Sequence, residues 1–273
     1  MARRKAEKEE LQVEHIEARS TPRTPVLYEI IRRYGEDEMA RPATSLWWSG
    51  LAAGLSMSFS LLAMAILHLH TPAAGWQKLV AALGYPVGFV MVVLSRQQLF
   101  TENTITVVLP IIARPSWAKV GRGARMWAIV LGANFAGTLL AALFSAFTPV
   151  VTPELRQAML DVSRESLQAG GWEMLFHGIT AGFLMAAMVW LIPAAEGQQF
   201  YVVYLMTYLI GVSDSAHIVA GSYEAFLLAA SGELGVGALL GGFMAPVLAG
   251  NVIGGTVLFA MLSYAQVMKE IEG

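Results

Sequence analysis

Long apolar runs, broken by a few polar clusters, dominate this chain. After Arg41 no Asp, Glu, Lys or Arg occurs until Lys78, and uncharged runs then cover 79–95, 103–113, 126–153, 174–195, 197–213 and 234–268. A helix needs about 20 apolar residues to cross roughly 30 Å of hydrocarbon. Four runs read as simple spans, at about 45–69, 126–148, 173–194 and 236–264. Two do not. Residues 79–113 are too long for one span and are interrupted by the polar stretch from Arg96 to Thr104, and residues 200–230 are interrupted from Ser213 to His217. A break facing lipid would leave backbone groups without partners, so such breaks survive only inside protein or beside a wet cavity. The pattern predicts an all-α integral membrane protein of six spans, with the second and fifth discontinuous.

Ahead of the first span the pattern changes. Residues 1–24 mix both signs of charge without an apolar face and read as a solvated tail. In 25–40, Leu27, Ile30, Ile31 and Tyr34 recur at helical spacing, which predicts a short amphipathic helix lying on the membrane or docked on the protein's own cytoplasmic face. Three regions result: a charged N-terminal tail over 1–41, a transmembrane domain over 42–268, and a C-terminal end over 269–273. The first apolar run starts too far in for a signal peptide.

Charge fixes the direction. With the N-terminus inside, the inner segments hold nine Lys and Arg of the tail plus Arg114, Lys119, Arg122, Arg125 and Lys269, against Lys78, Arg156 and Arg164 outside. The positive-inside bias predicts cytoplasmic N- and C-termini in a multi-pass cell (inner) membrane protein. Trp47, Trp48, Trp76 and Trp172 sit near span ends, as an aromatic belt requires. Only 14% of residues are charged and there are no cysteines, so thiolate metal sites and thiol nucleophiles are excluded. No nucleotide-binding loop is present. The tail's basic residues alternate with acids, which argues against nucleic acid. His68 and His70 have no nearby carboxylate, and no metal or other cofactor is expected.

The two halves resemble each other. Gly50-Leu51-Ala52-Ala53-Gly54 matches Gly178-Ile179-Thr180-Ala181-Gly182, and Asn134-x-x-Gly137-Thr138 echoes Asn251-x-x-Gly254-Gly255-Thr256. The breaks fall between these matches in both halves and align through Thr101 and His217. Three spans per half force the copies to run in opposite directions. Paired broken helices in an inverted 3+3 repeat point to a transport pathway.

At these residues the sequence resembles the formate/nitrite transporter family. The likeness rests on Leu99-Phe100-Thr101 in the second span, a His in the break of the fifth, Gly250-Asn251-Val252-Ile253-Gly254-Gly255 in the sixth, and the stretch from Glu173 to Trp190. It covers roughly 42–268. The resemblance implies an aquaporin-like fold assembled as a homopentamer. Each protomer would have a pore for a small monovalent anion or its conjugate acid. It implies a polar pair, Thr101 and His217, between apolar constrictions, one lined by Tyr85, Phe89 and Phe100 and the other including Ile210. The sequence departs from the family pattern at Glu102, at Gly221 and at Ser166, where formate channels carry a vestibule Lys.

An imidazole between dry constrictions could hydrogen-bond an entering anion or exchange a proton with it, or it could simply staple the broken helix. Arg96, Glu102 and Asp214 are ionisable groups near the breaks, and a buried pair of Arg96 with Glu102 or Asp214 is expected. Asn134 and Asn251 are expected to hydrogen-bond across packed helices. The aromatic and aliphatic candidates could equally be ordinary packing. The sequence therefore points to a non-enzymatic transporter or channel in the bilayer for a small solute. A neutral-solute pore and a non-transporting scaffold or sensor remain as alternatives.

Overall fold

A computed structural model describes residues 22–271, ten helices and their connections. Residues 1–21 and 272–273, which include most of the predicted tail, lie outside the described residues. The helices are α1 (Thr24–Ala40), α2 (Ala43–His70), α3 (Gln77–Leu94), α4 (Phe100–Ala113), α5 (Trp117–Phe147), α6 (Pro153–Ser166), α7 (Gly171–Ala194), α8 (Gln199–Val212), α9 (Ile218–Ala230) and α10 (Ala238–Ile271). Five of them, α2, α3, α5, α7 and α10, are long and apolar enough to cross a membrane. The pairs α3/α4 and α8/α9 are the two interrupted spans.

Each half now has five elements rather than three spans. α6 is not among the elements that the sequence predicts, whose spans at 126–148 and 173–194 leave only an outer connection between them. Its start is nonetheless written locally, with Pro153 in the first turn and the Thr152 hydroxyl accepting the Leu155 N–H at 3.3 Å. Ala158, Met159, Leu160, Val162 and Ser163 form its buried face. α1 stands ahead of α2 in the same way that α6 stands ahead of α7, so the repeat is α1–α5 against α6–α10. The face carrying α1 is called inner here, and the face carrying α6 outer.

α1 docks on the protein. It buries Leu27, Tyr28, Ile31, Gly35 and Met39, and packs Tyr28 and Ile31 with Ile105, Leu109 and Val267. The buried face is turned from the expected one, because Tyr34 is exposed and Gly35 meets the Thr106 carbonyl so closely that a Cβ would lie 1.7 Å from it. The helix can approach α4 only at that glycine.

Within each half, small residues bring two spans together. A Cβ on Gly54 would fall 2.2 Å from the Asn134 carbonyl, and one on Gly182 would fall 2.3 Å from the Asn251 carbonyl. With no hydrophobic drive between helices in lipid, such close backbone approach supplies the packing. α10 carries two π-helical segments, Ala238–Met244 and Ile253–Ala260. The second mates with α4, where the Thr256 hydroxyl donates to the Thr104 carbonyl at 2.8 Å. The exposed surfaces of the spans are apolar, with Leu140, Phe144, Leu205 and Leu262 exposed, and Trp48, Trp76 and Trp172 stand exposed near span ends.

Candidate functional site

The interrupted spans are built alike. α3 ends with Arg96 at φ 53°, and the Gln97 N–H reaches back to the Val92 carbonyl. α8 ends with Asp214 at φ 56°, and the Ser215 N–H reaches back to the Ile210 carbonyl. Both are helix stops with one left-handed residue, followed by a return strand that carries the chain toward the middle. Phe100 and Ile218 then start the second halves. The Phe100 N–H donates to Asn134 Oδ1 at 3.0 Å and the Ile218 N–H donates to Asn251 Oδ1 at 2.8 Å. Asn134 Nδ2 donates to the Gly50 and Gln98 carbonyls, and Asn251 Nδ2 to the Gly178 and Ala216 carbonyls. Each Asn thus ties a half-helix start and its return strand to a neighbouring span.

This geometry corrects the repeat alignment. Phe100 corresponds to Ile218, so His217 corresponds to Leu99 and Thr101 to Val219. Thr101 and His217 face one another without being equivalent. Their side chains meet at 2.7 Å, Oγ1 to Nε2, and both residues are buried. His217 also caps α9, with Nδ1 accepting the Ala220 N–H at 3.1 Å. That bond requires a bare lone pair on Nδ1, so the neutral ring carries its proton on Nε2 and donates to Thr101 Oγ1. The Thr101 hydroxyl proton is left to point elsewhere. Both half-helices start at this point, so two sets of backbone N–H groups converge around the pair.

Apolar rings surround it. Phe89 meets the His217 ring edge-on with centroids 4.9 Å apart, and Tyr85 packs against Phe89 at 5.2 Å. Phe100 turns to Trp127, at 5.6 Å. On the outer side a chamber of about 40 Å³ ends on His217 and is lined by Tyr85, Ile210, Phe243, Ser166 and Glu224. Tyr85 and Ile210 therefore share one outer chamber, contrary to the expected grouping of Tyr85 with Phe89 and Phe100 apart from Ile210. Tyr85 lies over Gly211, where a Cβ would strike its ring at 2.8 Å. Gly221 makes room for Phe243 in the same way. The chamber shares Met64, Ser166, Gly211 and Asp214 with a vestibule of about 220 Å³ that also exposes Lys78 and Glu165. The chamber and the vestibule thus adjoin on the outer side of His217.

The expected pairing of Arg96 with Glu102 or Asp214 is not found among the described residues. Arg96 and Asp214 are both exposed, at the tips of return loops on opposite faces. Asp214 pairs with Lys78 at 2.5 Å, and its carbonyl contacts His177 Nδ1. Glu102 has a buried carboxyl oxygen with no partner among the described residues. Asn103 is an internal brace: its amide donates to Gln98 Oε1 at 3.2 Å and its carbonyl accepts Trp127 Nε1 at 3.1 Å. Arg164, close in sequence to Ser166, is turned away to hold Glu233 with two hydrogen bonds at 2.6 and 2.8 Å. That guanidinium holds the Glu233 carboxyl below its ordinary value.

Two acids escaped the sequence reading. Glu224 is only 4% exposed and lies in the outer chamber. It follows His217 by seven residues, two helical turns, so a lone acid in that apolar run could have been placed on the same face. Glu38 of α1 turns its carboxylate inward, where Oε1 accepts from Gln98 and Oε2 from Thr106 at 3.0 and 2.7 Å. Burial raises its carboxyl above the ordinary 4.5. No spacing rule links a pre-span helix to the return loop, so only the fold shows this contact.

Comparison with known proteins gives a consistent result. Residues 25–265 match the family model described as formate/nitrite transporter. The inner membrane protein YfdC of Escherichia coli (strain K12) is 40% identical over 259 residues, covering 95% of this chain and 84% of that one. Two solved structures share the fold at 18% identity. An FNT family ion channel aligns with a TM-score of 0.76 over 88% of this chain and 98% of that one. A pentameric formate channel with formate bound aligns with a TM-score of 0.69 over 83% and 98%.

Proposed function

The chain belongs to the formate/nitrite transporter family, and from that premise we propose that it passes a small monovalent anion, or its conjugate acid, by way of Thr101 and His217. The observation that carries this reading is the 2.7 Å contact between those two buried side chains at the point where two half-helices begin. Donors converge there: the Thr101 hydroxyl, the imidazole Nε2–H and the two helix starts. An anion needs such donors when its water is stripped, and its conjugate acid avoids the cost of a bare charge in an apolar channel. Tyr85 and Ile210 on the outer side and Phe89, Leu99 and Phe100 around the pair would strip that water. Asn134 and Asn251 hold the frame.

The same proposal places the protein in the cell's inner membrane with both termini cytoplasmic, on the strength of the Lys and Arg bias. It also takes five copies to make the working unit, as in the neighbour described as pentameric. Light scattering on detergent-purified protein tests the assembly.

A neutral-solute pore is favoured by one feature, the unpaired Glu102 oxygen beside Thr101. Proteoliposomes separate the readings. Formate or nitrite entry that is lost in His217→Ala supports the anion or acid pathway. Osmotic swelling driven by water or glycerol, with no formate flux, replaces it by the neutral pore.

A further inference from the structure

We propose that Glu224 is the proton donor of the outer chamber, handing its carboxyl proton to a weak-acid anion just before the anion reaches Thr101 and His217; this rests on the transport reading above.

Three observations combine. First, Glu224 and His217 both line the 40 Å³ chamber, and that chamber adjoins the wider outer vestibule, with Met64, Ser166, Gly211 and Asp214 common to the two. A solute that enters the chamber from outside meets the carboxyl and the imidazole in the same small space. Second, no Lys or Arg lines the chamber. Its other titratable or charged groups are Tyr85 of α3, His217 at the head of α9 and Asp214 at its mouth. α2, α8 and α10 face it with Met64, Ile210 and Phe243, and α6 with Ser166. Glu165 and Lys78 lie beyond, in the vestibule. A carboxylate with no cation beside it is costly as an ion, so this one is suited to carry a proton.

Third, His217 cannot do the same work. Its Nδ1 is held by the Ala220 N–H, so its one ring proton is on Nε2. Giving that proton away would leave an imidazolate. The ring can donate a hydrogen bond to the solute but has no proton to transfer, whereas Glu224, the buried carboxyl of the chamber, has one.

The step balances. The O–H bond of Glu224 breaks as an O–H bond forms on the solute's oxygen. The neutral acid moves inward, and hydronium in the outer water restores the proton to Glu224 through the vestibule. The apolar chamber that makes ionised Glu224 costly makes the stripped solute anion costly as well, so the proton passes between two desolvated oxyanions. While Glu224 is ionised it repels a second anion, which ties one proton to one solute. Solutes of the monocarboxylate or nitrite class fit this scheme, and permanently charged anions do not.

Reconstituted full-length protein tests it, with labelled formate outside and a pH dye inside the vesicles. Wild type should carry formate with an accompanying proton, its flux changing less than about threefold between pH 5 and pH 7. Glu224→Gln should lose that buffering, so that its flux follows bulk formic acid and falls about tenfold per pH unit. Glu224→Asp should lie between. A Glu224→Gln protein with the wild-type pH profile and proton uptake overturns the proposal while leaving formate transport standing. Wild type that moves neither formate nor nitrite removes both. Should Glu224→Gln fail to fold, wild type still decides: carbodiimide, which reacts with protonated carboxyls, should label Glu224 at neutral pH, more slowly when formate is present. No labelling, or labelling indifferent to formate, overturns the assignment.

Discussion

Asn134 and Asn251 make the same three hydrogen bonds in opposite halves of the protein. Each accepts the first N–H of a half-helix and donates to a return-strand carbonyl and to a glycine carbonyl of a neighbouring span. The two interruptions stay open at mid-depth because these amides replace the partners that a continuous helix would supply.

Replacing either Asn by Ala should therefore be among the most damaging single changes. Asn251→Ala strands the Ile218 N–H and the return-strand carbonyl of Ala216, both away from water. Each stranded group costs about 1–3 kcal/mol, so the thermal midpoint in detergent should fall by several degrees. Asn251→Asp, which keeps the acceptor, should rescue part of the loss. Equal stability of Asn251→Ala and wild type would remove the bracing role.

Thr101 should be sensitive to its hydroxyl and tolerant of its methyl. Thr101→Ser keeps the oxygen that accepts His217 Nε2–H and the proton that points away from it. Thr101→Val keeps the shape and loses both. Loss of about 1.4 kcal/mol or more is a tenfold drop, so formate flux through Thr101→Val should fall at least that far while Thr101→Ser stays close to wild type. Equal flux in the two variants would show that packing alone matters there.

Arg96 should be dispensable as a charge. It is exposed at the tip of its loop with a positive φ, a conformation that costs a side-chain-bearing residue about 1–2 kcal/mol. Arg96→Gly relieves that cost, and the thermal midpoint should hold or rise with little change in flux. A collapse of flux in this variant would restore a functional role for the guanidinium.

Glu38 should make the docking of α1 depend on pH. Its carboxyl is raised above 4.5 by burial, so the folded state holds the proton more tightly than the unfolded chain. The contribution to stability is greatest below 4.5 and declines as the pH rises from there through the folded value. Glu29 on the same helix is held at about 2, chiefly by its hydrogen bond to Arg32; its contribution is present above 4.5 and fades as the pH falls toward 2. Glu38→Gln keeps an acceptor for Gln98 and offers an amide that the Thr106 hydroxyl can accept from. Protease cleavage of α1 should speed up from pH 5 to pH 7 in wild type and much less in the variant. Identical pH curves would assign the dependence elsewhere.

Much of this protein is legible along the chain because the bilayer asks a one-dimensional question. Every stretch must either be apolar for the width of the hydrocarbon or explain why it is not. The runs without charge therefore mark the spans, and the polar stretches from Arg96 and from Ser213 mark the breaks. The repeated Gly and Asn spacings reveal the inverted copies, since small residues must recur where helices touch. Thr101 and His217 stood out for the same reason, as polar groups where lipid forbids them. What the chain could not show is which side chain each of these meets. The two-residue shift in the repeat, the opposite faces taken by Arg96 and Asp214, Tyr85 and Ile210 in one chamber, and Glu38 reaching Gln98 all depend on helices distant in sequence. A return loop reverses direction within a few residues, so a small change in where it turns re-aims the side chains it carries toward different neighbours. Only the packed structure fixes that turn.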